Sequence, residues 1–169
     1  MQENVPSYLE IGSFSGAAIR LVSTVLPKGA RIVAVDKPWK STKLLQLQQV
    51  VKELRQGGYD VRHIIGDSAD AKIIAAAKAL GPFDAVFIDG DHTLAYVKSD
   101  WINYGSVGRL VGFHDVARDL PKNEHGGPHQ VATFWNEIKV GRRHLEFISA
   151  KTRARTDGKA AYGIGVVFN

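Results

Sequence analysis

The chain has 169 residues, with 22 lysines and arginines against 17 aspartates and glutamates, which gives a formal net charge of +5. Hydrophobic residues make up 44% of it, which excludes a disordered chain, and the absence of cysteine excludes disulfides, thiolate metal sites and a cysteine nucleophile. No apolar run reaches the ~20 residues that span a bilayer, and no secretion signal is visible at the start. We therefore expect a single domain over residues 1–169, cytoplasmic and without membrane contact.

Five short segments have the β-branched or apolar composition of buried strands. They are Tyr8–Ile11, Arg31–Val35, Val61–Ile65, Phe83–Ile88 and Arg109–Phe113. Five longer segments have the spacing of apolar residues that is typical of helices. They are Gly16–Leu26, Ser41–Gln56, Asp70–Leu80, Thr93–Tyr104 and Gln130–Val140. Because strand and helix alternate along the chain, the sequence predicts an α/β fold with a doubly wound, mostly parallel sheet.

The pattern changes after Val140. His144–Ser149 and Ile164–Phe168 have the composition of strands, and the turn-rich basic stretch between them contains no helix-length segment. Strands joined without a crossover helix pair in antiparallel fashion. We therefore expect seven strands in all, with an antiparallel C-terminal edge strand closing the sheet.

Acidic residues lie at or just after the carboxyl end of every predicted parallel strand. They are Glu10, Asp36, Asp67, Asp89, Asp91 and Asp115. Any one of them is explained equally well as a strand terminator. As a set they would repel one another without a cation or hydrogen-bond donors nearby. Since ligands of open α/β sheets bind at this edge, the acids predict a ligand site there.

The turn after the first strand reads Glu10-Ile-Gly12-Ser13-Phe14-Ser15-Gly16 and leads into a helix. Gly12 permits a sharp turn, and Gly16 would let a ligand lie close to the backbone at the helix N-terminus. The spacing differs from the Gly-x-Gly-x-x-Gly of dinucleotide-binding proteins. Glu10 favours a ligand with a cationic group over a pyrophosphate, and Asp36 is placed to bind the two hydroxyls of a ribose.

These motifs resemble those of class I methyltransferases, which use S-adenosylmethionine as cofactor. Glu10–Gly16, with Ser13 inside it, is similar to their first motif, and Asp36 is similar to their ribose-binding acid. Gly66, Asp67 and Ser68 resemble the turn that contacts adenine. The resemblance implies a Rossmann-like methyltransferase fold and S-adenosylmethionine binding by these residues and by Asp89.

Four later segments resemble a narrower group of small bacterial and phage methyltransferases related to sugar and macrolide O-methyltransferases. They are Phe83–His92, Gly112–Asp115, Gln130–Glu137 and Gly163–Val167. This resemblance implies O-methylation of a hydroxyl on a sugar or another small molecule.

The same resemblance implies a divalent metal, Mg²⁺ or Mn²⁺, with Asp89 as a ligand and His92 as general base. The residues after the fifth strand supply further ligands, usually as two acids, and here they are His114 and Asp115. Mg²⁺ prefers oxygen ligands, whereas imidazole suits Mn²⁺, Fe²⁺ or Zn²⁺, so the identity and even the presence of the metal stay open. The alternatives are an exposed ring for His92 and a hydrogen bond at the sheet edge for His114.

The positive charge is concentrated late in the chain. Residues 139–159 hold seven basic and two acidic side chains, a net of +5, and the rest of the chain has 15 of each. Basic residues often protect an exposed edge strand, although the segment would also suit an anionic partner. The charge balance thus gives little support to the first alternative function, an RNA or nucleic-acid-binding methyltransferase, without excluding it.

Two further functions are less favoured. A nicotinamide-dependent oxidoreductase is disfavoured by Glu10 and the glycine spacing, and a catalytically silent binding module by the dense acidic edge. The first strand begins so early that an acceptor pocket is open or is completed by another subunit, so a homo-oligomer is one expectation.

The loop Arg118–His129, with Lys122, His125 and His129, is a lid over the acceptor or a mobile surface loop. We expect Trp101 and Trp135 to pack in the core. Trp39 lies beside the adenine or on the surface.

Overall fold

The structure is a computed structural model that describes residues 6–37, 40–120, 128–148 and 162–169. The strands are β1 Ser7–Ile11, β2 Arg31–Asp36, β3 Asp60–Ile65, β4 Phe83–Ile88, β5 Gly108–His114, β6 His144–Phe147 and β7 Ile164–Phe168. The helices are α1 Ala17–Ser23, α2 Ser41–Gln56, α3 Ala71–Lys78, α4 Leu94–Tyr104 and α5 Val131–Ile138. The predicted alternation of strand and helix is thus present.

All seven strands belong to one sheet, in the order β3-β2-β1-β4-β5-β7-β6. Strands β1 to β5 pair in parallel, and β7 runs antiparallel to both β5 and β6. The order reverses between β1 and β4, which is the switch point where ligands of such sheets bind. The predicted fold class is confirmed, including the antiparallel closure at the C-terminal edge.

The predicted element bounds hold best where the sequence has strong start and stop signals. Helix α2 and strands β4 and β7 have the predicted bounds. Helix α1 is shorter than predicted, because Thr24 and Val25 donate to the carbonyls of Leu21 and Val22 in a tightened final turn. The strand predicted over His144–Ser149 ends at Phe147, and Ser149 lies outside the described residues.

Two layers of helices cover the sheet. Helices α1 and α2 pack on one face of β1, β2 and β3 around Ile19, Leu47 and Ile32. Helices α3, α4 and α5 pack on the other face around Leu9 and Phe113. Because both faces of the central strands are covered, their side chains are apolar on both sides, as in parallel sheets generally.

Trp135 anchors α5 to the antiparallel edge of the sheet. Its side chain is 1% exposed, and a Cβ at Gly165 of β7 would lie 2.7 Å from its ring. Its indole Nε1 donates to Glu146 of β6 at 2.6 Å. Trp101 packs against the same cluster, with its ring centroid 5.9 Å from that of Phe113. Both tryptophans therefore pack as predicted, while Trp39 lies outside the described residues.

Strand β6 forms the outer edge of the sheet, and all four of its residues are exposed. Lys139 pairs with Glu146 of this strand at 2.7 Å. Lys139 therefore lies beside an exposed edge strand, and the basic residues numbered 151–159 are outside the described residues. Within the described chain, no helix is both long and apolar enough to cross a membrane.

We expect Trp135→Ala to lower the free energy of unfolding by about 3–5 kcal/mol, because it removes a buried aromatic ring and leaves Gly165 unsupported. Ile102→Ala is the matched control, since Ile102 is 73% exposed on α4 and its loss should cost less than about 0.5 kcal/mol. Urea denaturation measures both. Similar stabilities for the two variants would contradict this account of the core.

Candidate active site

The parallel hydrogen-bond ladder continues past the strand ends and positions the loops at the carboxyl edge. The Asp89 N–H donates to the Ile11 carbonyl at 2.8 Å, and the Gly66 N–H donates to the Asp36 carbonyl at 2.9 Å. These loops surround a cavity of about 740 Å³. Its lining is Ile11, Gly12, Phe14, Val35, Asp36, Lys37, Gly66, Asp67, Ser68, Asp89, Gly90, Asp91, His92, Tyr96, His114, Asp115, Leu120, His129 and Tyr162.

Gly12 forms the sharp turn that the sequence predicts after β1. Its φ is +90°, and a Cβ built on it would lie 2.1 Å from the carbonyl oxygen of Asp89. A side chain at this position is therefore excluded both by backbone strain and by the neighbouring loop. The absence of a side chain brings the loops after β1 and β4 into direct contact at the cavity floor.

Gly16, which the sequence predicts to lie close to a ligand, packs against helix α2. A Cβ at this position would lie 2.9 Å from Cβ of Val50, so the glycine allows α1 to pack closely against α2. Gly16 is not among the lining residues of the cavity. Gly16 therefore has a packing role between two helices, and the approach of a ligand to its backbone stays a prediction.

Glu10 and Ser13 belong to the same turn, but both are buried and neither lines the cavity. Glu10 is 1% exposed, and Tyr8 donates its hydroxyl to Oε2 of Glu10 at 2.6 Å. Burial raises the pKa of Glu10 to about 7. The turn therefore separates the carboxyl group of Glu10 from a cationic ligand in the cavity.

Asp36 lines the cavity at the end of β2. Its Oδ2 accepts a hydrogen bond from the backbone N–H of Phe14 at 2.6 Å, which fixes the carboxylate against the turn after β1. Burial raises the pKa of Asp36. The fixed carboxylate at this switch-point position is the arrangement expected for binding a ribose.

The loop after β3 supplies Gly66, Asp67 and Ser68 to the same cavity. Lys37 donates to Asp67 Oδ2 at 2.9 Å, and this contact lowers the pKa of Asp67. The hydroxyl of Tyr96 lies 3.4 Å from the same oxygen. Sequence reasoning missed Lys37 and Tyr96, because neither residue belongs to a recognisable motif.

A cluster of three histidines and two aspartates closes the other end of the cavity; we call it the His/Asp cluster. It consists of Asp89, His92, His114, Asp115 and His129. His92 Nε2 lies 3.2 Å from Asp89 Oδ1, and His114 Nδ1 lies 3.2 Å from the same oxygen. Asp115 contacts His114 at 3.0 Å through Oδ1 and His129 at 2.8 Å through Oδ2. The rings of His92 and His129 stack with centroids 4.5 Å apart.

Local backbone structure brings these five side chains together. Asp89 and His114 come from the ends of adjacent strands, and Asp115 follows with a positive φ of 63° that turns its side chain inward. His129 and Leu120 exchange backbone hydrogen bonds at 2.9 and 3.0 Å, which closes the base of the loop between them. The predicted lid residues Lys122 and His125 lie outside the described residues.

The histidines and aspartates of the cluster shift one another's pKa values. Burial disfavours the charged form of His114, but its contacts with Asp115 and Asp89 outweigh burial and raise its pKa to about 10. Burial opposes the charged form of His92 as well, and Asp89 and Asp115 still raise its pKa. The neighbouring imidazoles hold the pKa of Asp115 well below its usual range despite burial. His92 is therefore not the exposed ring that one alternative predicted.

Two groups of donor atoms in this cluster converge closely enough to hold a metal ion. They are Asp89, His92 and His114, and separately His92, Asp115 and His129, with the donor atoms in each group within 4.8 Å of one another. The donor set fits a divalent ion that accepts nitrogen as well as oxygen. The predicted ligands Asp89, His114 and Asp115 all belong to the cluster, and His92, predicted as base, belongs to both groups.

His129 is the member that sequence reasoning did not assign. It is 4% exposed and contacts Asp115 from a position fourteen residues later in the chain. A glycine- and proline-rich loop separates the two residues, so no spacing rule connects them. No sequence motif predicts such a contact, because it depends on where the chain returns to the edge of the sheet after the loop.

A family model described as a methyltransferase domain matches residues 9–116, more than half of the chain. The chain belongs to this methyltransferase family. The matched region begins in β1 and ends just after β5, so it includes the turn at Gly12 and four members of the His/Asp cluster. The resemblance to class I S-adenosylmethionine-dependent methyltransferases is thereby confirmed.

Solved structures share the fold. An O-methyltransferase from Bacillus cereus in complex with S-adenosylhomocysteine (SAH) is 17% identical with a TM-score of 0.67, covering 98% of this chain and 75% of that one. The MycE methyltransferase of the mycinamycin biosynthetic pathway, solved with Mg and SAH, is 27% identical with a TM-score of 0.50. That comparison covers 65% of this chain and 28% of MycE.

A shorter match links the chain to a curated protein. Ribosomal RNA large subunit methyltransferase H of Janthinobacterium sp. (strain Marseille) is 43% identical over 53 residues, which are 30% of this chain and 34% of that protein. The chain spans less than half the length of the curated relatives that it matches.

We expect Gly12→Ala to destabilise the fold more than Gly29→Ala. Both glycines have positive φ, +90° and +83°, but only Gly12 faces a backbone atom, since nothing lies within 4 Å of a Cβ at Gly29. Gly29→Ala should lower the free energy of unfolding by about 1–2 kcal/mol through backbone strain alone. Gly12→Ala should lower it further, because the Asp89 loop must also be displaced. Thermal and urea denaturation compare the two variants. Equal losses of stability would contradict the claim that the loops after β1 and β4 must be in direct contact.

Proposed function

We propose that the protein transfers a methyl group from S-adenosylmethionine to a hydroxyl oxygen of a sugar or another small molecule. The observation that carries the proposal is the continuity of the cavity, which holds Gly12, Asp36 and Asp67 at one end and the His/Asp cluster at the other. A cofactor bound at the first end would direct its methyl group toward the second.

The cofactor end suits an adenosine carrying a sulfonium. Asp36 would accept hydrogen bonds from the ribose hydroxyls, and the Gly66–Ser68 turn would contact the adenine. The negative carboxylates at this edge would favour a positively charged sulfur over a pyrophosphate. The volume of about 740 Å³ is within the usual range of small-molecule sites and leaves room for an acceptor. Membership of the methyltransferase family and the SAH bound in the Bacillus cereus neighbour support this assignment.

At the other end, His92 would act as general base. Asp89 contacts Nε2 of His92 and Asp115 lies 3.5 Å from the same atom, so two carboxylates orient the ring and stabilise the imidazolium. The acceptor hydroxyl would lose its proton to His92 as its oxygen attacks the methyl carbon in line with sulfur. The carbon–sulfur bond breaks, the electron pair stays on sulfur, and the products are SAH and a methyl ether.

A divalent ion, when bound, would lower the pKa of the acceptor hydroxyl and orient it. Asp89, His114 and Asp115 would hold such an ion, since their donor atoms converge beside His92. The Mg in the MycE complex supports a role for a divalent ion.

A ribosomal RNA acceptor is the second candidate. The match to the ribosomal RNA methyltransferase and the basic residues near β6 favour it. The acidic lining of the cavity disfavours an RNA acceptor, because it would repel a phosphate backbone. The acidic lining residues are Asp36, Asp67, Asp89, Asp91 and Asp115.

We expect SAH to bind the protein and Asp36→Asn to weaken that binding at least tenfold, because the variant loses a charged acceptor for the ribose hydroxyls. Isothermal titration calorimetry measures both. Asp60→Asn is the matched control, since Asp60 begins β3 at the opposite edge and pairs with Arg31 and Arg62 on the surface. Absence of SAH binding at millimolar concentration would overturn the proposed function.

We expect methyl transfer from radiolabelled S-adenosylmethionine to sugars or polyhydroxylated small molecules in preference to RNA. His92→Gln should lower kcat by roughly 10²–10⁴-fold and leave SAH binding unchanged, because it removes only the base. His144→Gln, on the exposed strand β6, is the control. Methylation confined to RNA would select the second candidate, and full activity of His92→Gln would remove its assigned role.

A further inference from the structure

We propose that the His/Asp cluster selects a first-row transition-metal ion, such as Mn²⁺, Fe²⁺, Co²⁺ or Zn²⁺, over Mg²⁺, and that the imidazole of His114 sets this preference as a metal ligand. The proposal rests on the divalent ion that the proposed function places here. It depends neither on the cofactor nor on the identity of the acceptor.

The composition of the cluster argues for nitrogen-accepting ions. Each of the two converging donor groups contains two imidazoles and one carboxylate. Mg²⁺ keeps a near-ideal octahedral shell of oxygen ligands and gives up its waters reluctantly. Sites built from imidazole and carboxylate together suit Mn²⁺, Fe²⁺, Co²⁺ and Zn²⁺ instead.

His114 has the geometry of a ligand in such a site. Its Nδ1 lies 3.2 Å from Asp89 Oδ1 and 3.0 Å from Asp115 Oδ1. Neighbouring ligand atoms in an octahedral shell, each about 2.1 Å from the ion, are roughly 3 Å apart. Two aromatic rings lie near the imidazole, that of Phe87 at a centroid distance of 6.3 Å and that of Tyr162 at 6.4 Å.

His129 limits what Asp115 can offer an ion. Its Nε2 contacts Asp115 Oδ2 at 2.8 Å, and both side chains are almost fully buried. One carboxylate oxygen is thereby in contact with an imidazole, and the other, Oδ1, lies on the side of His114. An additional oxygen ligand for Mg²⁺ from the second oxygen of Asp115 is disfavoured by this contact.

The test replaces the nitrogen donor by an oxygen donor. His114→Asp gives the site two adjacent acids after β5, and His114→Asn removes the imidazole without adding charge. His144→Asp is the matched control, because His144 is exposed on β6 and does not belong to the cluster. Circular dichroism and thermal denaturation verify that each variant is folded before metal is added.

Titration calorimetry with Mn²⁺ and with Mg²⁺ on chelator-treated protein measures the preference. We expect the wild type and His144→Asp to bind one Mn²⁺ at least tenfold more tightly than Mg²⁺. His114→Asp should reduce that ratio at least tenfold, and His114→Asn should weaken Mn²⁺ more than Mg²⁺. Pulsed electron paramagnetic resonance of bound Mn²⁺ should show coupling to directly bound nitrogen in the wild type, and His114→Asp should have one coupled nitrogen fewer.

Three results would overturn the proposal: no stoichiometric Mn²⁺ binding, equal affinity for Mg²⁺ in the wild type, or an unchanged ratio in folded His114→Asp. Because SAH is absent from these titrations, failure here leaves the cofactor assignment untouched. Failure of SAH to bind would in turn leave the metal preference standing.

Discussion

The geometry of the site depends on the hydrogen-bond ladder between the parallel strands, which continues past the strand ends into the loops. The bonds from Asp89 N–H to the Ile11 carbonyl and from Gly66 N–H to the Asp36 carbonyl extend the register into the loops. Gly12 completes the arrangement, since only a residue without a side chain fits against the Asp89 carbonyl. The carboxyl ends of neighbouring strands are thus held at one level, and the distances between acidic side chains follow from the spacing of strands.

This constraint concentrates negative charge, and the surrounding residues compensate for it in two ways. Toward the proposed cofactor end, Lys37 pairs with Asp67 and the Phe14 N–H donates to Asp36. At the other end, three imidazoles surround Asp89 and Asp115. Unpaired carboxylates at such distances would be costly, so histidine contributes to the stability of the edge as well as to its proposed chemistry.

The sequence predicted the fold well because the information was local. Apolar segments that alternate with helical ones predict β1 to β5. The acidic residues near the ends of these strands predict which edge of the sheet binds the ligand. The prediction was weaker where a side chain could point in two directions. Glu10 and Gly16 belong to the motif, yet Glu10 is buried behind the turn and Gly16 packs against Val50. A motif gives the position of these residues along the chain and not the side of the loop they occupy.

Contacts between distant loops were the least predictable part. His129 reaches Asp115 only because the backbone bridge with Leu120 returns the chain to the sheet edge, and its stacking on His92 depends on the same return. Lys37 and Tyr96 contact Asp67 for a similar reason, since each follows from the packing of a neighbouring element. No residue spacing encodes such pairs, whereas the succession of strands and helices and the buried faces of the helices follow from hydrophobic periodicity.

One cavity joins the proposed cofactor end to the His/Asp cluster. A crystal structure of the protein with SAH bound tests it most directly. The account predicts the ribose beside Asp36, the adenine at the Gly66–Ser68 turn and the sulfur directed toward His92. Density for SAH away from Gly12 and Asp36, or with its sulfur turned from the cluster, would contradict it.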